Sequence, residues 1–318
     1  MADRYAFLQR YGVLAALIFL LAFNFAVTPN FATWQTLNVN LTQVCTIVIV
    51  GVGMTLVIAT GGIDLSVGSL MAIAGALSPM IFMGKLFPLP NIYVGIALGV
   101  IIPIVVAGIF GLFNAWLITK FSIQPIVATL VLFIAGRGLA QVSTNGDLQV
   151  FVVPQFQALA LGHVLGVPFQ VWLMLALVVI TAFLLRRTVF GKQILAVGGN
   201  EAAARLSGVP TARVKYLVYG FCGLASGLAG LIVIAMNSAA DANLIGVGME
   251  LDAIAAVVVG GTLLSGGRAT IVGTLLGALV IQLVRYSLLA NGVPDAAALI
   301  VKAALIVSAV WLQRQEQA

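Results

Sequence analysis

The sequence has few charged residues. Asp, Glu, Lys and Arg make up 8% of its 318 residues, whereas a soluble domain carries about 25%. Hydrophobic residues make up 62% of the chain, which is more than a soluble fold of this length could bury. The apolar runs are continuous and do not alternate with polar residues, which favours membrane helices over membrane strands. The composition therefore predicts an all-α integral membrane protein.

Cysteine and histidine are also scarce. Cys45 and Cys222 both fall inside apolar runs, which favours two buried, small hydrophobic side chains over a disulfide. His163 is the one histidine in the chain, and this argues strongly against a metal site built from imidazoles. We therefore expect no metal-binding residues.

Catalytic motifs are missing from the sequence. A phosphate-binding loop needs Gly-x-x-x-x-Gly-Lys followed by Ser or Thr, but Gly191-Lys192 is followed by Gln193. There is no Ser/His/Asp, Cys/His or paired-carboxylate constellation. We therefore expect no catalytic residues, no enzymatic activity and no cofactor bound by this chain. If ATP and Mg²⁺ are used, a partner subunit must bind them.

The apolar runs define the candidate membrane spans. Each span needs about 20 apolar residues, and the candidates are residues 11–28, 42–60, 69–84, 92–117, 124–141, 170–185, 216–236, 250–262, 270–289 and 296–312. Positive residues orient such spans because cytoplasmic loops are enriched in Lys and Arg. With a cytoplasmic N-terminus and alternating spans, every Lys and Arg is cytoplasmic except Lys85, Arg137, Arg285 and Lys302. This pattern predicts about ten transmembrane helices with N- and C-termini in the cytoplasm.

The loops suggest one transmembrane domain over residues 1–318. Two outer loops are predicted at 142–169, which is too polar and too interrupted by Pro and Gly to span, and at 237–250. The substantial cytoplasmic loop is 186–215. The net charge of +6 is explained by this topology and by contact with anionic membrane lipid. No nucleic-acid partner is needed to account for it.

Four glycines of the seventh span predict close helix packing. Gly220, Gly223, Gly227 and Gly230 follow one another at spacings of three or four residues, so they form a stripe on one helix face. Glycine is unfavourable in a helix unless another backbone approaches closely. Tight packing inside one subunit is the favoured interpretation, and a contact between two subunits is the alternative.

The segment 59–69, ATGGIDLSVGS, combines a helix end with a buried acid. Asp64 and Ser66 can cap the helix that follows the two glycines. A cap near the cytoplasmic interface is favoured over direct substrate contact. The stretch GGIDLSVG at 61–68 also resembles GGTLLSGG at 260–267, and both are followed by apolar runs. The sequence leaves open whether this is an internal repeat and whether either stretch re-enters the membrane.

A few polar and aromatic residues inside spans are candidates for a solute pathway. Amides and an occasional charge suit a neutral, hydroxyl-rich solute, and aromatic rings could form its walls. The candidates are Asn114, Arg137, Gln141, Phe113 and Asp64. Arg137 and Gln141 are four residues apart, so they share one face near the outer end of the fifth span. For each residue taken alone, interhelical hydrogen bonding is the competing interpretation.

The cytoplasmic loop contains a short helix with clear boundaries. Asn200 is a good N-cap, Glu201 suits the first turn, and Gly208 can end the helix in a left-handed conformation. The predicted segment consists of Asn200, Glu201, Ala202, Ala203, Ala204, Arg205, Leu206, Ser207 and Gly208. Isolated helices this short do not persist in water. The segment is therefore predicted to dock into a groove of another protein, and a loop without a partner is the alternative.

Four motifs, in order, carry a resemblance to a known family. They are VGMTLVIATGGIDLSVGSLMAIAGAL (52–77), PIVATLVLFIAGRGLA (125–140), AVGGNEAAARLSGV (196–209) and ELDAIAAVVVGGTLLSGGRATIVGTLLGAL (250–279). Over roughly residues 40–312 the chain resembles the permease subunits of bacterial ribose-type sugar ABC importers. This group includes permeases for ribose, xylose and galactofuranose.

The resemblance implies a fold, a location and a set of partners. The fold would be similar to type II ABC importers, in the bacterial inner membrane. The partners would be an ABC ATPase subunit, a second permease subunit that is identical or homologous, and a periplasmic sugar-binding protein. The segment Asn200–Gly208 matches the family's coupling helix, which transmits ATP hydrolysis to the pore. The solute would be a ribose- or galactofuranose-like monosaccharide.

A different class of transporter is the alternative. An ion-gradient-driven secondary transporter of a small polar solute would need titratable or ion-binding groups deep in the bundle. Asp64 stands alone in the sequence in this respect, with no chain of acidic or histidine residues leading to the far side. Neither the sugar nor the choice between identical and different permease partners follows from the sequence.

Overall fold

The structure, a computed structural model, describes the backbone of residues 2–314 and the side chains of residues 12–294, 296–305, 307 and 308. The helices are α1 (Ala2–Val27), α2 (Trp34–Ala59), α3 (Val67–Phe82), α4 (Ile92–Lys120), α5 (Pro125–Ser143), α6 (Pro154–Leu161), α7 (Phe169–Arg187), α8 (Val189–Gly199), α9 (Glu201–Leu206), α10 (Thr211–Asn237), α11 (Met249–Val259), α12 (Ile271–Ala290) and α13 (Asp295–Arg314). The two-residue strands are β1 (Gln149–Val150), β2 (His163–Val164), β3 (Val167–Pro168) and β4 (Ala239–Ala240).

Every predicted span coincides with a helix. Six helices are long and apolar enough to cross a membrane, namely α2, α4, α5, α7, α10 and α12. Shorter apolar helices cover residues 12–27, 67–82 and 296–305. Helix α11 has 11 residues, which gives a length of about 16 Å and is less than the hydrocarbon core of about 30 Å. The chain is thus a mostly helical membrane protein. The prediction that both ends of the chain lie in the cytoplasm concerns residues 1 and 315–318, which lie outside the described part.

Helices α2 and α3 form the centre of the bundle. Every residue of α2 from Val44 to Ala59 is buried, and most of α3 is buried as well. A helix that is apolar all round is stable only when other elements surround it. Helix α10 packs against α2, α3 and α4, while α11 and α12 pack against α2 and against each other. Cys45 and Cys222 are buried in this core as free thiols, as the sequence predicted.

The glycine stripe of α10 packs inside the chain. A Cβ on Gly223 would overlap the carbonyl oxygen of Ala107 in α4, and one on Gly227 would lie 2.9 Å from the Ala107 side chain. A Cβ on Gly230 would likewise overlap the backbone of Met71 in α3. The stripe therefore brings α10 into backbone contact with α3 and α4, and the interpretation as packing within one subunit is confirmed.

Polar residues connect α1, α2 and α12. Gln282 donates to Gln43 at 2.6 Å, and Ser287 donates to Asn24 at 2.7 Å. Such hydrogen bonds across helices contribute about 1 kcal/mol or less each in a membrane protein. These amides thus act as interhelical contacts.

The two predicted outer loops meet in one layer. Strand β1 pairs antiparallel with β4, with Gln149 opposite Ala240. Helix α6 and the β2–β3 hairpin complete the first loop. The rings of Phe82, Phe151 and Phe156 contact one another beneath this layer. The pairing therefore connects two loops that are almost a hundred residues apart in sequence.

Helices α2 and α11 end in the same turn. Gly61 and Gly261 both adopt a left-handed conformation, with φ of 78° and 85°. The next amide donates to the carbonyl five residues earlier in each case, from Gly62 to Val57 and from Thr262 to Val257. This is the Schellman motif. Aligning the two turns by their geometry pairs Gly61 with Gly261. The sequence match of 61–68 to 260–267 pairs Gly61 with Gly260 instead, so the two alignments differ by one residue.

Candidate functional site

The predicted caps of the short cytoplasmic helix are present. The Asn200 side chain accepts a hydrogen bond from the amide of Ala203 at 2.9 Å, which satisfies one free amide of the first turn. At the other end, Gly208 has a φ of 83°, and Val209 donates to the carbonyl of Ala204 at 3.0 Å. Helix α9 therefore begins and ends where its sequence predicted.

Helix α9 turns most of its surface to solvent. Ala204 is buried, whereas Leu206 is 90% exposed and the neighbouring Ala202, Ala203 and Arg205 are exposed. A lone leucine in this position costs hydrophobic free energy as long as no partner covers it. The exposed face is therefore suited to contact with another protein.

One ion pair connects α9 with the long helix α10. Lys215 of α10 lies 2.7 Å from the carboxylate of Glu201, and Arg205 lies 3.7 Å from the same carboxylate, as its spacing of four residues predicted. Both pairs are partly exposed, so each contributes at most about 1 kcal/mol. These ion pairs orient α9 relative to α10 and contribute little to the stability of the fold.

The glycines before α9 bring three backbones into direct contact. Gly267 donates its amide to the carbonyl of Ala59 at the end of α2, at 3.1 Å. A Cβ on Gly198 would overlap that same carbonyl, and one on Gly266 would lie 2.8 Å from the amide nitrogen of Gly61. We call this contact of residues 59–61, 198–199 and 266–267 the glycine junction. It connects α9 rigidly to the inner ends of α2 and α11.

A cleft lies beside α9. It has a volume of about 710 Å³ and is bounded on one side by Glu201, Arg205 and Leu206, and on the other by the α4–α5 connection at residues 119–125. The cleft is partly open and contains both polar and apolar side chains. Its position next to α9 makes it part of the same surface.

Two of the proposed pathway residues lie together on α5. Arg137 donates to the carbonyl oxygens of Ala242 and Ile245, and Gln141 donates to the side chain of Asn243 at 2.9 Å. The prediction that Arg137 and Gln141 share one helix face is confirmed. Their common neighbour is the irregular chain between β4 and α11.

Two other candidates meet in the core. Asp64 accepts from the amide of Ser66 at 2.9 Å and from its hydroxyl at 2.6 Å. Ser66 is the N-cap residue of α3 and its side chain makes no cap hydrogen bond to the first turn, so the predicted capping of that helix by Asp64 and Ser66 is wrong. Asn114 donates to the same hydroxyl at 2.9 Å. The thiol of Cys222 lies beside Asp64, and the hydroxyl of Tyr219 is buried nearby without a hydrogen-bond partner among the described residues. All of these side chains are buried, so Asp64 and Asn114 line no open path in this conformation.

Phe113 lies apart from the other candidates. Its ring contacts Trp116 on an exposed face of α4, and Trp116 contacts Phe121 after the end of that helix. Aromatic residues of this kind are typical of the membrane–water interface. The structure therefore places the five pathway candidates in three separate locations.

Sequence reasoning missed several residues of these sites. It did not single out Gly198, Tyr219 or Asn243. Gly198 could have been found, because two consecutive glycines just before a strong N-cap suggest close backbone approach. Tyr219 and Asn243 gave no such signal, since their roles depend on residues far away in the sequence.

The chain matches the protein family described as "Branched-chain amino acid transport system / permease component" over residues 36–310. It is 40% identical to the ribose import permease protein RbsC of Escherichia coli strain K12, over 98% of this chain and 96% of that protein. It is 39% identical to the galactofuranose transporter permease protein YtfT of the same strain, over 95% of this chain and 89% of that protein. The L-arabinose ABC transporter permease protein AraH of Azospirillum brasilense is 34% identical, over 95% and 87% respectively. No solved structure matches the chain.

Proposed function

The chain belongs to the family of branched-chain amino acid transport system permease components, and on this premise we propose that it is the transmembrane permease subunit of an ATP-driven importer. It would pass a ribose- or galactofuranose-like monosaccharide from a periplasmic binding protein to the cytoplasm. The relatives named above are permeases for ribose, galactofuranose and L-arabinose. Like them, the chain is a multi-pass protein of the inner membrane.

Helix α9 is the observation that supports ATP coupling most directly. It is capped at both ends, exposes Leu206 and connects through the glycine junction to the ends of α2 and α11. A short helix that is packed against the ends of two membrane helices can transmit a displacement to them, whereas a free loop cannot. We propose that the segment Asn200–Gly208 docks into a groove of an ATPase subunit, which would bind ATP and Mg²⁺.

The remaining parts of the proposal rest on the family and on the span pattern predicted from the sequence. Ten helices would cross or enter the membrane as one domain, with both ends of the chain in the cytoplasm and α9 on the same side. A second permease subunit, identical or homologous, would complete the pore. The layer formed by β1, β4 and α6 would meet the periplasmic binding protein. The apolar outer faces of the bundle would contact lipid.

Uptake in proteoliposomes tests this function. The permease is reconstituted with its ATPase subunit and supplied with binding protein and radiolabelled D-ribose or galactofuranose. We expect uptake that requires ATP and the ATPase subunit and continues when ion gradients are collapsed. Uptake driven by a proton or sodium gradient, without ATP, would instead establish the alternative of a secondary transporter.

Variants of α9 test the coupling. We expect Leu206→Glu and Ala203→Glu to abolish ATPase binding and ATP-driven uptake while the permease still inserts and keeps its melting temperature, because both side chains are exposed. Val189→Glu is the control, since Val189 is also exposed and apolar but lies at the start of α8. Normal co-purification and uptake in both α9 variants would show that α9 is not the coupling helix.

A further inference from the structure

The chain between β4 and α11, residues 241–248, penetrates the helix bundle. The carbonyl of Gly246 lies so close to Gly68, in the first turn of α3, that a Cβ on either glycine would overlap the backbone of the other. Ile245 reaches Gly75, where a Cβ would lie 2.8 Å from the Ile245 side chain. We call residues 241–248 the re-entrant segment. It is irregular along its whole length and belongs to neither a helix nor a strand.

The tip of the re-entrant segment lies near half the depth of the membrane. Gly230 of α10 touches Met71 of α3, and Ile234 lies against Gly75 one turn further along both helices. The two helices therefore run in the same direction, and Gly68 is level with Gly227. Helix α10 ends at Asn237, ten residues later, which corresponds to about 15 Å at 1.5 Å per residue. The hydrocarbon core is about 30 Å thick. Gly246 therefore lies about 15 Å below the outer end of α10.

Helix α5 holds the re-entrant segment in place. The Arg137 guanidinium donates to the carbonyls of Ala242, Ile245 and, at 3.4 Å, Gly68. The buried carboxylate of Glu250, in the first turn of α11, lies against Gly68, where a Cβ would be 2.7 Å from it. Arginine inside a membrane span is rare and faces the bundle interior or water. Here it supplies hydrogen bonds to carbonyls that have no helix or strand to satisfy them.

Helix α11 continues inward from this depth as half a span. It begins at Met249 and ends at Val259, in the turn that reaches the glycine junction. In transporters, half-helices that start near the middle of the membrane mark the substrate path. The combination of a re-entrant segment and a half-helix thus places a break in the helical structure at this depth.

One face of the re-entrant segment is uncovered. Leu244 is 71% exposed and Val247 is 66% exposed, while Gln141, Asn243 and Asp241 form an exposed hydrogen-bonded chain above them. Irregular backbone cannot face hydrocarbon, because its amides and carbonyls would be left without partners. It is tolerated in a membrane only against protein or along a water-filled cavity.

From these contacts we infer that the exposed face of the re-entrant segment, together with Gln141 of α5, lines a water-filled passage for a neutral, hydroxyl-rich solute. The inference rests on the proposed transport function and assigns its passage to specific residues. Gln141 and Asn243 provide amide groups that can exchange their mutual hydrogen bond for bonds to hydroxyls. Arg137 is a positioning residue, because it acts on the solute only by holding the segment.

Cysteine labelling tests the passage without requiring transport. Val247→Cys and Leu244→Cys are introduced separately into the full permease–ATPase complex in membranes. The probe is a charged, water-soluble methanethiosulfonate reagent. The native Cys45 and Cys222 are buried and give little background. Val179→Cys is the matched control, since Val179 is 65% exposed near the middle of the regular helical span α7.

We expect both segment cysteines to react at least about tenfold faster than the control, because the reagent attacks the thiolate, which forms in water and not in lipid. Equal, slow labelling of all three cysteines would overturn the inference. So would labelling of both segment cysteines that is slower than labelling of the control, which would show that this face is closed to water. The labelling measurements are independent of ATP and sugar, so their failure is distinguishable from failure of the proposed function.

Discussion

Helix α9 and the re-entrant segment 241–248 are two short interruptions in an otherwise apolar chain, but different forces hold them. The shape of α9 is specified by its own residues, from the cap at Asn200 to the left-handed Gly208. The re-entrant segment depends on partners from α3 and α5, above all on Gly68 and Arg137. The first can be recognised in the sequence, and the second cannot.

Their surroundings explain this difference. Most of α9 is exposed, so water can satisfy any amide or carbonyl that the helix leaves free. The re-entrant segment packs between membrane helices, where no water is available on a side that faces lipid, so it needs protein hydrogen bonds or an aqueous passage. A short irregular segment in this position is therefore stable only within the complete fold.

The largest effect is expected where α9 joins the core. Gly198→Ala places a Cβ against the carbonyl of Ala59 and should destabilise the junction by about 1–3 kcal/mol or more. We expect ATP-driven uptake to be nearly lost and the melting temperature of the permease to fall. Gly199→Ala is the control, because a Cβ on Gly199 meets no atom within 4 Å. Equal uptake by the two variants would show that the glycine junction does not contribute to coupling between the ATPase and the permease.

A smaller effect is expected at the base of the re-entrant segment. Arg137→Met leaves the carbonyls of Ala242 and Ile245 without their donor, at a cost of about 1–3 kcal/mol for each buried group. We expect a lower melting temperature and faster labelling of a cysteine at Val247 in this background. Gln141→Ala removes only an exposed hydrogen bond and should leave the melting temperature almost unchanged. Identical thermal stability of the two variants would contradict the role of Arg137.

The smallest effects are expected at the N-cap and ion-pair residues of α9, Asn200 and Glu201. Asn200→Ala removes the N-cap and should cost about 1 kcal/mol of local helix stability. Glu201→Gln weakens the pair with Lys215 by less than about 1 kcal/mol, because the pair is partly exposed. We expect uptake to fall modestly in Asn200→Ala and hardly at all in Glu201→Gln, with the difference measured at low salt. A larger loss in Glu201→Gln would mean that charge, and not helix geometry, governs this surface.

Local signals predicted the helices well. The ten apolar runs each became a helix, and the caps at Asn200 and Gly208 are where the sequence indicated. The glycines of α10 pack inside the chain, as favoured from their spacing. These features depend on hydrophobicity and backbone preference, which act on neighbouring residues.

The positions of the pathway candidates were harder to predict, because the polarity of a side chain does not show whether it faces the core or an exposed surface. Asn114 and Asp64 share the hydroxyl of Ser66 inside the core, whereas Gln141 meets Asn243 on an exposed face. All were similar in the sequence, as polar residues within or beside apolar runs. Their helices bring them together with residues as many as 102 positions away, and no local pattern contains that information.

The sequence by itself determined that this is a helical membrane permease, where its helices lie, and how α9 begins and ends, because apolar runs and helix caps act over a few residues. Only the tertiary structure decided that Gly198 joins α9 to the ends of α2 and α11, and that residues 241–248 return into the helix bundle beside Gly68. Both depend on backbones that meet across the whole chain. Close packing and the need to satisfy buried amides act on segments that are distant in sequence.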